Sequence, residues 1–217
     1  MSHIYTIFAT RFTKMASLNI DFLIISKISK AKRGSLFFTE NFLSFGSAKS
    51  VGKALQRLTD DNELMRVATG IYCRPAIDPI IGKLTPTVED IARAIAKRDK
   101  ARIIPTGDYA LHRLGLSTQI PLNIVFYTDG SARKVKVKNF TITFKKTSPK
   151  NLSTYGEISG LAIQALKSIG KENMTEEDIS KIQSLLEKEN PTHLKHDYKL
   201  APDWIRQIFL PILKPTK

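Results

Sequence analysis

Between Phe38 and Pro75 the chain reads FTENFLSFGSAKSVGKALQRLTDDNELMRVATGIYCRP, and this run of short elements limits the fold more than any other stretch. Thr39 can cap a one-turn helix that points Phe42 and Leu43 inward, Gly46 supplies a turn, and Ser47 can cap a second helix. In that second helix Val51, Ala54, Leu55 and Leu58 recur at helical spacing, which leaves Lys49, Ser50, Lys53 and Arg57 on the other face. After Asp60, Asp61 and Asn62, the segments Leu64–Val67 and Ile71–Arg74 alternate around Ala68-Thr69-Gly70 as a short hairpin does. Short helix, turn, basic helix and basic hairpin form the order of a winged helix-turn-helix. Such a module sends the donors at the start of its second helix into a major groove. The residues expected to face DNA are Ser47, Lys49, Ser50, Lys53 and Arg57 on the helix, with Arg66, Thr69 and Arg74 on the wing.

The charge balance is +14 over 217 residues, and its distribution agrees with a polyanionic partner. Residues 1–86 carry 12 basic and 6 acidic side chains, residues 87–150 carry 13 and 5, and residues 151–217 carry 9 of each. The excess therefore lies wholly in the first 150 residues. A single cysteine, Cys73, excludes an intramolecular disulfide and any thiolate zinc cluster, in keeping with a cytoplasmic location. No apolar run approaches the length of a membrane span, and the N-terminal residues lack a secretory cleavage pattern. Either Met1 or Met15 can be the natural start, so residues 1–19 are expected to be a flexible extension.

Residues 20–79 are expected to form the winged domain. A first helix from Asp21 packs through Phe22, Ile25 and Ile28 and closes at Gly34, and IDPIIGKLTP follows as a linker rich in proline. The second domain, 87–217, opens with a helix capped by Thr87 and Asp90. A strand at Arg102–Pro105, a helix at Thr106–Leu114 and strands at Leu122–Thr128, Arg133–Lys138 and Phe140–Lys146 make a small antiparallel sheet over 102–146. The Asp129-Gly130 pair is read as the hairpin turn between the first two of those last three strands. From Tyr155 to Leu213 the chain is helical, with interruptions at Gly170 and at Asn190-Pro191. The expected class is thus α+β, a winged helix followed by a mixed domain with C-terminal helices.

Catalytic motifs are not found. The sequence has no phosphate-binding glycine loop, no G-x-S-x-G elbow and no H-E-x-x-H, and the strands carry lysine and threonine where a magnesium nuclease needs carboxylates. His193, His196 and Asp197 have no partners at ligand spacing, so no metal or other cofactor and no enzymatic activity are expected. Lys134, Lys136, Lys138, Lys145 and Lys146 can either follow phosphates or guard a sheet edge against aggregation, and their sequence supports both roles equally.

Two segments carry a resemblance to a known family: FGSAKSVGKALQRLTDDNELMRVATGIYCRP and TGDYALHRLGLSTQIPLNIVFYTDG. Over about Ile20–Leu213 the chain resembles the AbiEi-type antitoxins and transcriptional regulators of type IV, abortive-infection toxin–antitoxin pairs. What this resemblance implies is a regulator that binds the operator DNA of its own operon and counteracts a nucleotidyltransferase toxin encoded beside it, with a role in phage defence. The five lysines of the second domain would then face the toxin or its RNA. Direct toxin contact and a homodimer both stay open, as does the alternative of a winged-helix adaptor that binds protein without binding DNA.

Overall fold

The computed structural model describes residues 19–213, so the expected extension at 1–19 lies almost wholly outside the described residues. The chain is mixed α+β and divides into two compact units, one ending at Ile91 and the other beginning at Ala92.

In the first unit, residues 19–29 are helical (α1). Then come β1 (Leu36–Phe38), a 3-10 helix (Thr39–Phe45), α2 (Ala48–Asp60), β2 (Met65–Ala68) and β3 (Ile71–Cys73). The three strands form one antiparallel sheet in the order β1-β3-β2, with Leu36 opposite Cys73 and Met65 opposite the same residue from the other side. Ile24, Ile28, Phe42, Val51, Leu55, Leu58 and Leu64 form its core. α2 buries the four apolar residues that its helical spacing selects, Val51, Ala54, Leu55 and Leu58. The inward face of α1 differs from expectation: Phe22 is 68% exposed and Ile24 is fully buried. Both 22/25/28 and 24/28 satisfy the helical period, and packing beside Phe42 decides between them.

The expected linker is also structured. β4 (Ala76–Asp78) and β5 (Gly82–Leu84) pair as an antiparallel hairpin. The Asp78 carboxylate accepts from the backbone N–H groups of Ile81 and Ile80, which holds its pKa below the usual range and closes the turn. Three-residue strands carry too little alternation to be read from sequence. α3 (Val88–Arg98) begins with the expected reciprocal cap between Thr87 and Asp90. The division between the units falls inside this helix, four residues beyond its cap.

The second unit contains β6 (Ile103–Thr106), α4 (Asp108–Arg113), β7 (Asn123–Thr128), β8 (Arg133–Val137), β9 (Phe140–Lys146), α5 (Glu157–Ile169), α6 (Glu176–Leu186), α7 (Pro191–Leu200) and α8 (Asp203–Leu213). Its sheet has the order β6-β7-β9-β8. β7 pairs with β9 in parallel while the other two pairings are antiparallel, so the sheet is mixed and the expected β7–β8 hairpin does not form. The hairpin joins β8 to β9 instead, and Lys138 takes a left-handed φ of 51° beside that turn.

Asp129 and Gly130 have a packing role. The Asp129 carboxylate accepts from the backbone N–H and Nε of Arg102, and a Cβ on Gly130 would lie 2.7 Å from the Ala101 Cβ. α5 is buried from Ser159 through Leu166 and forms the centre of this unit. α7 adds to the expectation, since Asn190-Pro191, read as an interruption between helices, also starts the next one. Asn190 accepts from the N–H groups of Thr192 and His193, and proline at the first helical position loses no internal hydrogen bond. No helix among the described residues is long and apolar enough to cross a membrane.

Candidate nucleic-acid interfaces

α2 starts from a turn at Gly46, and Ser47 caps it. The Ser47 hydroxyl accepts from the Ser50 N–H at 3.2 Å and lies 2.9 Å from the Ser50 hydroxyl. These two serines therefore define the start of the helix, with Lys49 exposed between them and Lys53 exposed one turn later. Arg57, expected on the same DNA-facing surface, is used inside the unit. Its Nε and one terminal nitrogen form a bidentate pair with Asp21 of α1, at 2.9 and 2.7 Å, and this pairing raises the guanidinium pKa further. A forked arginine held by a carboxylate has fewer N–H groups left to offer a phosphate.

Arg74, expected to face DNA, is likewise engaged within the unit. Its guanidinium donates to the carbonyls of Ser29 and Ala31, acceptors at the C-terminal end of α1 that the helix itself does not use. Of the residues expected on a wing, Arg66 and Thr69 remain exposed. Gly70 turns the hairpin at a φ of 70°, and its carbonyl accepts from the Thr39 N–H at 3.0 Å. Thr39, expected to cap the 3-10 helix, ties that helix to the β2–β3 hairpin, while Asn41 provides the cap by accepting from the Phe38 N–H. Cys73 is wholly buried, and burial together with Asp90 pushes its thiol up to about 11, so it is a packing residue.

The sheet of the second unit sorts the five lysines expected there. Opposed residues in a ladder share a face, and successive residues alternate. Lys134 is opposite Thr143, Lys136 opposite Thr141, and Lys145 opposite Tyr127, while Thr143 and Thr141 are opposite Val125 and Asn123. Lys134, Lys136 and Lys145 thus lie on one face with Asn123, Val125, Tyr127, Thr141 and Thr143. Lys146 is opposite Thr128, on the face that carries Phe126, Ile142 and Phe144 into the core. Lys138 belongs to the β8–β9 turn. Tyr127, Asn123 and Thr143 have no recognisable motif; strand alternation placed them on a face only once the parallel β7–β9 register was known.

The H-x-x-H-D cluster has a structural role that sequence reasoning missed. Asp197 is wholly buried and accepts from the N–H of Tyr155 and Gly156, both at 2.9 Å, and from the Ser159 hydroxyl at 2.6 Å. His196 Nδ1 lies 2.8 Å from the carboxylate oxygen that Tyr155 binds. Glu189 accepts from the N–H groups of Ile158 and Ser159. Two carboxylates therefore occupy the positive end of α5, and the Tyr155 ring stacks on His196 at 3.9 Å between centroids. Among the described residues no group of three or more His, Cys, Asp or Glu side chains has the geometry to hold a metal ion.

A protein-family model described as "Family of unknown function (DUF6088)" matches residues 23–194, so the chain belongs to that family. No curated protein matches the sequence. Among solved structures, that of the RV2827C protein from Mycobacterium tuberculosis is similar with a TM-score of 0.42 and 11% sequence identity, over 89% of this chain and 81% of that one.

Proposed function

We propose that this member of the DUF6088 family is a DNA-binding regulator whose first unit works as a winged helix-turn-helix, and that it serves as the antitoxin of a type IV toxin–antitoxin operon. One observation carries the DNA-binding part. α2 buries Val51, Ala54, Leu55 and Leu58 while exposing Lys49 and Lys53 in its first two turns, directly after a capped turn, and an antiparallel sheet with exposed Arg66 and Thr69 follows. Docking in a major groove requires that division of one helix between its own core and a phosphate-lined groove. The antitoxin part rests on the resemblance to AbiEi-type proteins, which implies autoregulation and a nucleotidyltransferase toxin as the second partner, without catalysis by this chain.

The competing reading, a winged-helix adaptor that binds protein alone, draws on the internal use of Arg57 and Arg74, which reduces the cations left for phosphate. Titration of the full chain against the DNA upstream of its own gene separates the two. Lys49→Ala with Lys53→Ala should weaken binding and lower the log–log salt slope by about 0.9 for each phosphate that the variant no longer neutralises. Unchanged affinity and slope in the folded variant would remove α2 from DNA. Co-expression with the neighbouring nucleotidyltransferase tests the second half, since the full chain should restore growth that the toxin arrests.

A further inference from the structure

The β6–β9 strands contain no aspartate or glutamate. On the face opposite the core they expose Lys134, Lys136, Lys145 and Asn123, with Tyr127, Val125 and Thr141 half-buried between them. None of those three lysines is in an ion pair among the described residues. α5 walls one side of this face: Ile104 of β6 is opposite Tyr127, and its side chain lies 3.3 Å from where a Cβ on Gly160 of α5 would stand. The open floor therefore runs from β7 to β8, two strand spacings or about 10 Å. Thr147, two residues beyond Lys145, accepts from the Asn151 amide, and Asn151 in turn accepts from Lys167 of α5 at 3.0 Å. Lys167 has its pKa lowered by burial and by the neighbouring Lys150, so two basic side chains lie close together past the Lys145 end of the floor.

We propose that this walled face binds a single strand of nucleic acid, with Lys134, Lys136 and Lys145 on phosphates and Tyr127 against a base. Lys134 and Lys136 are two residues apart on one strand, about 6.7 Å, and follow a line parallel to the strand. The Thr143 hydroxyl donates to the Asn123 carbonyl oxygen at 2.7 Å, which orients the exposed Asn123 amino group outward as a donor. A flat floor with one ring and peripheral cations suits sequence-tolerant stacking of a flexible strand. An acidic protein is the weaker occupant, since the face has no large exposed apolar side chain and lysine is depleted from protein interface cores. The proposal goes beyond duplex reading by the first unit and does not depend on it.

The test uses the full chain carrying Lys49→Ala and Lys53→Ala, so that α2 is silent. Labelled twelve-residue oligo(U) and oligo(dT) are titrated at several salt concentrations. Both should bind, with a log–log slope near −2 from about 0.7 per neutralised phosphate. Adding Lys134→Gln, Lys136→Gln and Lys145→Gln should weaken binding by about tenfold or more and flatten the slope, again by counterion release. Tyr127→Leu should reduce affinity several-fold with the slope unchanged, and Lys146→Gln, on the opposite face, should leave binding as it was. Absence of binding would overturn the proposal. So would equal binding of a duplex of the same length, equal competition by polyglutamate, or a Lys146→Gln effect as large as that of the triple substitution.

Discussion

The two units hold the ends of one helix each with charged groups of opposite sign. In the first, arginines hold the fold: Arg57 pairs with Asp21 near the start of α1, and Arg74 caps the carbonyls at the other end of the same helix. In the second, carboxylates do so, with Asp197 and Glu189 at the N-terminal end of α5. The sign that a fold consumes internally is removed from its surface. The first unit is therefore left with Lys49, Lys53 and Arg66 as exposed cations on α2 and the β2–β3 hairpin, fewer than a count of basic residues suggests, whereas the second keeps its sheet lysines whole.

The largest test of this contrast is Asp197→Ala. It removes, from a fully buried position beside His196, the acceptor of the Tyr155 and Gly156 N–H groups and of the Ser159 hydroxyl, and should cost about 3–5 kcal/mol of stability. Thermal and urea melting measure it, and a loss below about 1 kcal/mol would mean that α5 does not depend on its carboxylates. A smaller effect is expected in the first unit. Arg57→Ala removes a partly exposed bidentate pair, its arginine side chain being 41% accessible, and should cost about 1 kcal/mol after solvent screening. Lys53→Ala, on the same helix with its side chain in water, should leave the melting temperature unchanged. If the two variants melt alike, Arg57 is a surface donor after all and the contrast between the units fails.

The smallest effect is a pH dependence confined to paired surface carboxylates. Burial works to raise the Asp99 pKa, but hydrogen bonds from Arg98 and Arg133 outweigh it, and Arg102 lowers that of Asp129. A carboxylate with a lowered folded pKa contributes stability that is full above its unfolded value, near 3.8, and is lost as pH falls through the folded value. The melting temperature should thus fall as pH drops below about 4, and the double variant Asp99→Asn, Asp129→Asn should show a shallower fall. Equal slopes in both proteins would assign acid sensitivity to other carboxylates.

Much of the first unit is legible in the sequence because its signals are local. The Ser47 cap, the apolar stripe of α2 and the turn at Gly70 each depend on a few adjacent residues. What α1 buries was less legible, because two apolar stripes fit one helical period. In the second unit the reciprocal cap at Thr175 is equally local, its partner Asp178 lying three residues on, as Asp90 lies from Thr87. Asp129-Gly130 misled because the pair is a frequent hairpin turn. Here β9 takes the place beside β7, and the two residues serve close packing against Arg102 and Ala101 instead.

The sequence by itself determined which residues are basic, which stripes are apolar, where most helices start and that strands β8 and β9 alternate. Tertiary structure decided which of those charges remain available. Arg57 and Lys53 are both basic residues of one helix, and only the position of Asp21, 36 residues earlier, separates a structural cation from an exposed one. Lys145 and Lys146 are neighbours, and only the parallel register with β7 puts one beside Tyr127 on the open face and the other on the face of the core. The physical reason is the same in both cases. Propensity, capping and periodicity act over a few residues, whereas the partner of a charge and the face of a strand are set by packing between segments far apart in the chain.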